Sequence, residues 1–346
     1  MRMSKKIISI GLILIGLVGL GLVYQKYQVF YGPNVPQTLE SEFAYIPTGT
    51  TFRQLPRLLY QSGFLKDTAT FLETAKWMKY DQSKVRAGRF KITPGWSNQA
   101  LIRHLRSGQQ APVKVILTTA RVLEDVAQKA GKFIEADSAA LMAVFEDTSY
   151  LKTLGYSPET LMSLFIPNTY EFFWNTSGKA FLERMVKEHD KFWSKNGRLD
   201  KARALNMTTV EVYTLASIIE KETNQNSEKK RMAGVYLNRL KKGMLLQADP
   251  TCVFATRDFL ATRVTDYHTT FDSPYNTYLY TGLPPGPIAM ASIASIDAVL
   301  NAENHNYLFF CAKGDGTGLH AFAKTLRGHN QNVARYKRNL RQRGLR

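Results

Sequence analysis

The stretch LASIIEKET, residues 215–223, joins an apolar run to a cluster of charged residues. The predicted fold and function of the larger part of the chain depend on how this stretch is interpreted. Thr208 or Thr209 is predicted to begin this helix. Glu211 then falls in the first turn, where a carboxylate suits the positive end of the helix dipole. The sequence therefore predicts a buried helix that reaches either solvent or a functional site at its charged end.

Two glutamates in this stretch, Glu220 and Glu222, point to different sides of the helix, because two residues correspond to roughly 200° of rotation. Steps of three and four from Glu220 pass Tyr213, Ala216 and Ser217, so its stripe is small and partly polar. A carboxyl group in such surroundings is expected to have a raised pKa, which makes Glu220 a candidate general acid. The alternative is that both glutamates mark the solvated end of a helix.

Four turn-rich segments carry the aromatic, amide and hydroxyl side chains that suit a sugar. Sugars stack on planar rings and accept or donate hydrogen bonds to amides and hydroxyls. The segments are FIPNTYEFFW (165–174), LLQADPT (245–251), SPYNTY (273–278) and TGLPPGPIA (281–289). Each alone is equally consistent with a packed loop, whereas together they favour a sugar-binding cleft.

Other kinds of catalytic site find little support in the sequence. The histidines show no HExxH or other close ligand spacing, so we predict neither a metal site nor a cofactor. Ser217 lacks the GxSxG context of a nucleophilic serine. Cys252 and Cys311 are expected to be buried free thiols rather than a disulfide framework. Acid–base chemistry by a carboxylate is the remaining enzymatic hypothesis.

An apolar N-terminal segment, IISIGLILIGLVGLGLVY (7–24), contains no charged residue and nearly spans a bilayer core. Arg2, Lys5 and Lys6 precede it and Lys26 follows, so residues 1–6 are predicted to be cytoplasmic and the body to lie outside the cell membrane. A cleaved signal peptide is the alternative, and it exports the body as well. No cysteine lies near the segment, which excludes a lipoprotein anchor.

The formal net charge of +18 would suggest nucleic acid in a cytosolic protein. Behind a membrane anchor, lipid head groups and cell-wall polymers are the expected anionic partners, and nucleic acid is not. A solvated helical tail without a specific partner is the alternative for the C-terminus. The basic residues of this tail are Arg335, Lys337, Arg338, Arg341, Arg343 and Arg346.

The predicted fold class is α+β. A linker (25–42) follows the anchor, and a small module (43–110) then alternates strand-like and helix-like segments, ending in the capped helix SNQALIRHLRSG. A larger domain (111–346) begins with the strand VKVILTT and is mostly helical to about residue 227. It also contains a predicted hairpin, NYLFFCAKGDGTGLHAFAK, with a glycine-rich turn.

Ordered motifs give the chain a resemblance to a known family. LASIIEKET, VYLNRL, LLQADPT, SPYNTY, GLPPGPI and HAFAKTLRGHN follow one another behind a single anchor. In this order they resemble the MltG-type (YceG-like) endolytic murein transglycosylases of bacteria, over nearly the whole chain. The small module resembles the LysM-like domain of such proteins, a class associated with N-acetylglucosamine polymers.

The resemblance implies that Glu220 is the catalytic acid and base. It would protonate the glycosidic oxygen between N-acetylmuramic acid and N-acetylglucosamine, and then accept the proton of the muramyl C6 hydroxyl. That hydroxyl attacks C1 and leaves a 1,6-anhydro end, so no second carboxylate is required. The expected substrate contacts are Asn168, Tyr170, Glu222, Gln247, Asp249, Tyr275, Asn276 and Tyr278.

Two departures from the family pattern and two competing functions stay open. Family members commonly have Pro-Glu-Gly where this chain has LTTARVLED. They also commonly have an acidic residue and a glycine before a Phe-Pro-Asp-Thr-Tyr run, where this chain has Met162, Ser163 and Asn168, which puts an auxiliary acid in that loop in doubt. The first competing function is a non-catalytic glycan-binding scaffold of the wall-synthesis machinery, with peptidoglycan synthases as possible partners. The second is a hydrolytic muramidase in which Glu220 is the acid and Asp249 activates water.

Overall fold

The structure is a computed structural model that describes residues 5–345. Arg2 and Arg346, used above in the predictions of topology and of the basic tail, lie outside the described residues. The chain divides into two units. The first comprises Met1–Val113 and Glu171–Thr176, and the second comprises Lys114–Tyr170 and Ser177–Arg346.

The first helix, α1 (Lys5–Tyr31), has no polar residue between Ile10 and Val23. Its segment Ser9–Tyr31 has a mean hydropathy of 1.7 with none of its most apolar window buried, and is long enough to cross a membrane. The helix continues past Tyr24, so the predicted linker begins inside it. Near its end the carbonyl of Val29 accepts hydrogen bonds from Thr74 and Asn98 at 3.1 and 2.9 Å.

The rest of the first unit combines one small sheet with three helices. Strands β1 (Phe43–Ile46) and β2 (Gly88–Lys91) are antiparallel, with Phe43 opposite Lys91. The helices are α2 (Leu55–Gln61), α3 (Thr68–Trp77) and α4 (Asn98–Ser107). Ser97 caps the start of α4 and Gly108 ends it with φ 70°, which confirms the predicted capped helix. The core is formed by Ile46, Leu55, Leu59, Phe71, Phe90 and Leu101 among others.

After the strand at Val113 the chain is mainly helical to about residue 227, as predicted. In order, its elements are β3 (Val113–Leu117), α5 (Leu123–Gly131), α6 (Ser138–Phe145), α7 (Thr148–Thr153), a 3-10 turn (Leu161–Leu164), β4 (Asn168–Phe172), α8 (Gly178–Trp193), α9 (Arg198–Ala204), α10 (Thr209–Glu222), α11 (Asn226–Lys241), α12 (Asp249–Thr256), α13 (Asp266–Thr269), α14 (Ile293–Leu300), β5 (Phe309–Ala312), β6 (His320–Ala323) and α15 (Leu326–Gln342). Strand β3 pairs with β4, and β5 pairs with β6. The mixture of helices and strands confirms the α+β prediction.

Helix α10 forms the centre of the second unit's core, and its residues 212–219 are all buried. Thr208 caps it by accepting a hydrogen bond from the amide of Glu211, whose carboxylate accepts one from the amide of Thr208, so the predicted start is confirmed. The hydroxyl of Tyr213 donates to the carbonyl of Phe165 at 2.7 Å, and that of Ser217 accepts from the amide of Ile288 at 3.0 Å. The small, polar stripe below Glu220 therefore packs against the segment that leads into α14.

The predicted hairpin is present, with Phe309 of β5 opposite Ala323 of β6. Helix α15 packs on this hairpin without burying any of its own described side chains fully. The amide of Asn339 donates to the carbonyl of Lys313 at 2.7 Å and so attaches the basic tail to the hairpin.

Candidate active site

Glu220 is held by three donors from two neighbouring helices. Its Oε2 accepts hydrogen bonds from Lys229 Nζ at 3.0 Å, from Ser292 Oγ at 2.5 Å and from Ser295 Oγ. The Lys229 side chain is only 5% exposed and that of Glu220 is 24% exposed. Glu220 is therefore one member of a largely buried ion pair.

Burial raises the pKa of Glu220, but the hydrogen bonds of Ser292, Ser295 and Lys229 together outweigh burial and leave it below its ordinary value. The prediction of a raised pKa for this residue is therefore wrong. Its apolar neighbours were read from the helix itself, whereas the three donors come from α11 and from the start of α14. A carboxylate whose Oε2 accepts three hydrogen bonds is held in its ionised form, which suits a structural role more than donating a proton.

Glu222 lies in different surroundings. Its Oε1 accepts a hydrogen bond from the Tyr236 hydroxyl at 2.6 Å. Burial raises the pKa of Glu222 to about 7, with the charge of Asp249 adding to the effect while Tyr236 and Arg239 oppose it. At neutral pH this carboxyl group is present in both protonation states, as an acid–base catalyst requires.

A cleft of about 430 Å³ lies in front of Glu222. Gln247, Asp249 and Tyr278 line it, and the Tyr278 hydroxyl donates a hydrogen bond to Oδ1 of Asp249. The cleft lies within the size range of small-molecule sites. Predicted contact residues from LLQADPT and SPYNTY thus meet beside Glu222 rather than beside Glu220.

Arg239 forms the rear of the cleft and holds the loop that carries Gln247. Its guanidinium donates to the carbonyls of Leu246 and Leu308 at 2.9 and 2.7 Å. Gln247 has a left-handed backbone, with φ 47°, and its amide donates to the carbonyl of Thr277 at 3.0 Å. These bonds join α11, the loop before α12, and the hairpin into one wall.

Two histidines complete the cleft on the hairpin side. The Nδ1 atom of His320 lies 3.0 Å from Oε2 of Glu228, and both oxygens of Glu228 also accept from the His320 amide. His329 stacks on Phe309, with ring centroids 5.4 Å apart. Both histidines line the cleft with Cys311, which is a free thiol, as is Cys252.

The remaining predicted contacts lie elsewhere. Asn276 is fully buried, and its amide donates to the carbonyls of residues 268, 269 and 271, so it organises its own loop in place of the predicted substrate contact. Tyr170 is buried, and its hydroxyl donates to the carbonyl of Ile166 at 2.6 Å. Asn168 and Tyr170 line a separate cavity of about 230 Å³, and Tyr275 lines another of about 340 Å³.

Several residues of the cleft received no role from the sequence. Tyr236 and Arg239 belong to VYLNRL, and His320 and His329 to HAFAKTLRGHN, both motifs that supported the family resemblance. The motif positions were the available signal, but the sequence does not show that Tyr236 contacts Glu222 from the next helix or that His320 contacts Glu228 from 92 residues away. Among the described residues, no group of three or more His, Cys, Asp or Glu side chains is arranged to hold a metal ion.

Comparison with known proteins gives a consistent set of matches. A family model described as the YceG-like family matches residues 44–335. The endolytic murein transglycosylase of Bacillus subtilis (strain 168) is 29% identical over 307 residues, covering 84% of this chain and 83% of that protein. The endolytic murein transglycosylase of Streptococcus pneumoniae serotype 2 (strain D39 / NCTC 7466) is 28% identical over 322 residues, and the match spans 57% of its length.

A solved structure is similar as well. The crystal structure of a YceG-like protein from Listeria monocytogenes matches with a TM-score of 0.54 and 28% sequence identity. The match covers 84% of this chain and 97% of the crystallised chain.

Proposed function

Because the chain belongs to the YceG-like family, we propose that it is a lytic transglycosylase that cleaves peptidoglycan strands internally. The bond cut is that between N-acetylmuramic acid and N-acetylglucosamine, and the product end is a 1,6-anhydro sugar. Cutting nascent strands near the membrane would terminate their elongation. The names of the relatives from Bacillus and Streptococcus support the substrate and the reaction class.

One observation carries the proposal: Glu222 lines the cleft of about 430 Å³, where burial raises its pKa to about 7. We therefore assign to Glu222 the acid–base role that the sequence suggested for Glu220. Oε2 of Glu220 already accepts from Lys229 and two serines, and these three donors favour the ionised form over a protonated one. Glu222 accepts one hydrogen bond from Tyr236 and lies beside open space.

The reaction follows from this geometry in two proton transfers. Protonated Glu222 gives its proton to the glycosidic oxygen as the bond from that oxygen to C1 of the muramyl residue breaks. The resulting Glu222 carboxylate then takes the proton of the muramyl C6 hydroxyl, and the oxygen of that hydroxyl bonds to C1. The Tyr236 hydroxyl stabilises the carboxylate between the two steps.

The other cleft residues are proposed as substrate contacts. Gln247 offers an amide, and Tyr278 a ring with a hydroxyl, to a sugar. Asp249 carries a negative charge near C1, where positive charge develops in the transition state. The acetamido and hydroxyl groups of the substrate match these donors and acceptors.

A muramidase is the second candidate, and Asp249 is the observation that favours it. This carboxylate lines the same cleft as Glu222 and affects the pKa of Glu222 through its charge. In an inverting hydrolysis such a second carboxylate activates a water. The products then carry reducing ends rather than anhydro ends.

We further propose a location and a division of labour. Helix α1 anchors the chain in the cell membrane, with residues 1–6 in the cytoplasm and the cleft outside, supported by the apolar segment Ser9–Tyr31. Residues 43–110 form a LysM-like module that contacts glycan, and residues 111–346 form the catalytic domain. A non-catalytic scaffold would share this location and these contacts but would leave strands intact.

The test is a digestion of purified glycan strands by the full chain, with the ends identified by mass spectrometry. We expect anhydro ends from the natural protein and a loss of at least ~100-fold in Glu222→Gln, the usual scale for removing a general acid. The folded fraction of Glu220→Gln is expected to retain activity. Circular dichroism supplies that fraction for both variants.

Each other outcome selects a competing function. Products with reducing ends would establish the muramidase. If neither the natural protein nor any variant cleaved the strands, the non-catalytic scaffold would be the remaining function. Activity that survives in Glu222→Gln but disappears from folded Glu220→Gln would return the catalytic role to Glu220.

A further inference from the structure

A second cavity in the second unit, of about 340 Å³, combines an apolar floor with charged edges. Tyr275 and Phe254 form an aromatic wall, with ring centroids 4.9 Å apart. Met142, Phe145 and Met162 add apolar lining, while Arg121 and Arg257 contribute positive charge. A cavity of this composition suits a ligand with both carbon chains and anionic groups.

Arg121 has unused hydrogen-bonding capacity at this site. Its Nε atom is buried and has no hydrogen-bond partner within the part of the chain that the structure describes. Its guanidinium carbon lies 4.9 Å from the Phe259 ring centroid, which orients the group. A buried guanidinium donor without an acceptor is costly, and a planar carboxylate is the acceptor it matches best.

The other charged side chains that line this cavity are a second arginine and three glutamates. Arg257 lies 3.7 Å from Glu124, and both side chains are about half exposed, so this pairing is weak. Glu124, Glu146 and Glu159 also line the cavity and suit an ammonium group. With two guanidinium groups and three carboxylates in its lining, the cavity fits a zwitterionic ligand.

Two segments of the chain have residues that line the cavity and residues that line the catalytic cleft. Helix α12 begins with Asp249 at the cleft and carries Phe254 at the cavity, with Arg257 just beyond its end. Along a helix, Asp249 and Thr256 are separated by about 10 Å. The loop that follows α13 likewise places Tyr275 at the cavity and Tyr278 at the cleft.

We propose that this second cavity binds the stem peptide of the strand being cut, with Arg121 pairing with a peptide carboxylate and Tyr275 packing on its side chains. The inference rests on the proposed function, because that function supplies a muramyl sugar in the neighbouring cleft. Three extended residues reach about 10 Å, which matches the separation along α12. In a peptide-bearing strand the carboxylates belong to the peptide, whereas the N-acetylated sugars are neutral.

The test measures binding separately from cleavage, using the full chain with Glu222→Gln so that ligand is not consumed. The probes are an N-acetylglucosaminyl-N-acetylmuramyl pentapeptide and the same disaccharide with its lactyl carboxyl group as a simple amide, so that it is neutral, and binding is measured by titration calorimetry. We expect the peptide-bearing probe to bind more tightly. Adding Arg121→Gln or Tyr275→Ala should weaken it about tenfold and leave the bare disaccharide unchanged.

Arg263→Gln serves as the matched control, because Arg263 is exposed and outside the lining of the cavity. It is expected to change neither affinity. Thermal unfolding of each variant verifies that a loss of binding is not a loss of fold, and two variants on different segments guard against one failing to fold.

Three results would overturn the proposal. The first is equal affinity for both probes. The second is an equal loss of affinity for both probes in Arg121→Gln. The third is a loss of affinity in that variant for the bare disaccharide alone, which would make the cavity a sugar subsite. The proposed function fails on a different observation. If the natural chain bound peptide as expected but left strands intact, the cavity assignment would stand and the enzymatic one would not.

Discussion

At the scale of single residues, Glu220 and Glu222 show how far position alone can be misleading. They are two residues apart on α10, yet the pKa of Glu220 lies below its ordinary value and that of Glu222 is raised to about 7. The difference comes from donors: Glu220 faces an ammonium and two hydroxyls, whereas Glu222 faces one tyrosine hydroxyl and the charge of Asp249. A carboxylate is stabilised by the groups that donate to it and penalised by burial without them.

The protonation of Glu222 predicts the pH dependence of cleavage. The proton donor is lost as the pH rises through about 7, so activity should decline along an alkaline limb centred near that value. Tyr236 lowers this pKa by donating to the carboxylate. Tyr236→Phe should therefore shift the limb upward by about one pH unit. The measurement is the cleavage rate of glycan strands from pH 5 to 10.

Tyr280→Phe is the control for this profile, since the Tyr280 hydroxyl donates to the exposed Asp272 and lies outside the cleft lining. Its limb should coincide with that of the natural protein. A limb near pH 4.5, or one that does not move in Tyr236→Phe, would mean that Glu222 does not control the rate.

At the scale of elements, Glu220 joins three helices. It lies on α10 and accepts from Lys229 on α11, from Ser292 at the cap of α14, and from Ser295 in the first turn of α14. Ser292 also accepts from the amide of Ser295, so the same hydroxyl begins α14 and binds α10. The Glu222 end of α10 is held in place through this junction.

Glu220→Gln is therefore expected to destabilise the second unit. Breaking a buried ion pair by removing one partner lowers the free energy of unfolding by about 3 to 5 kcal/mol. Because Glu220 is 24% exposed, we expect a smaller decrease of roughly 2 kcal/mol. The pKa of Glu220 is lower in the folded state, so its contribution is present at neutral pH and is lost as the pH falls through that value. Urea unfolding at pH 7 and at pH 3.5 measures the difference.

Asp200→Asn is the matched control, because the Asp200–Arg203 pair has a similar length of 3.0 Å but both side chains are more than three-quarters exposed. The free energy of unfolding of this variant should fall by less than about 0.5 kcal/mol at either pH. Equal stability of Glu220→Gln and the natural protein at pH 7 would show that the junction contributes nothing.

At the scale of the whole molecule, α1 has two parts with different surroundings. Its apolar side chains from Ile10 to Val23 are exposed, whereas Phe30 packs edge-on against Trp77 at 5.8 Å and the Val29 carbonyl accepts from two side chains of the first unit. A transmembrane role for the first part and a structural role for the second are compatible in one helix.

Truncation separates these two roles. The full chain should sediment with membranes and resist alkaline extraction, while a chain that begins at Lys26 should be released and unfold at the same temperature. A chain that begins at Pro33 lacks the Val29 and Phe30 contacts and should unfold about 5 °C lower, which corresponds to roughly 1 kcal/mol for a unit of this size. Sedimentation of the Lys26 chain with membranes, or equal unfolding temperatures for both truncations, would contradict this division.

The sequence by itself determined the features that have local causes. The Thr208–Glu211 capping box begins α10, and Ser97 and Gly108 begin and end α4. A glycine-rich turn joins the two strands of the hairpin. Each of these features depends on residues within a few positions of one another. Helical rotation also separated Glu220 from Glu222, and the order of the motifs indicated the family that the comparisons support.

Only the tertiary structure decided which glutamate faces the cleft in a protonatable state. Ser292 and Ser295 reach Glu220 from 72 and 75 residues away, and Tyr236 reaches Glu222 from α11. The buried amide of Asn276 was likewise indistinguishable from a substrate contact until its carbonyl partners were in place. A pKa depends on burial and on donors in three dimensions, and neither follows from the neighbours of a residue along the chain.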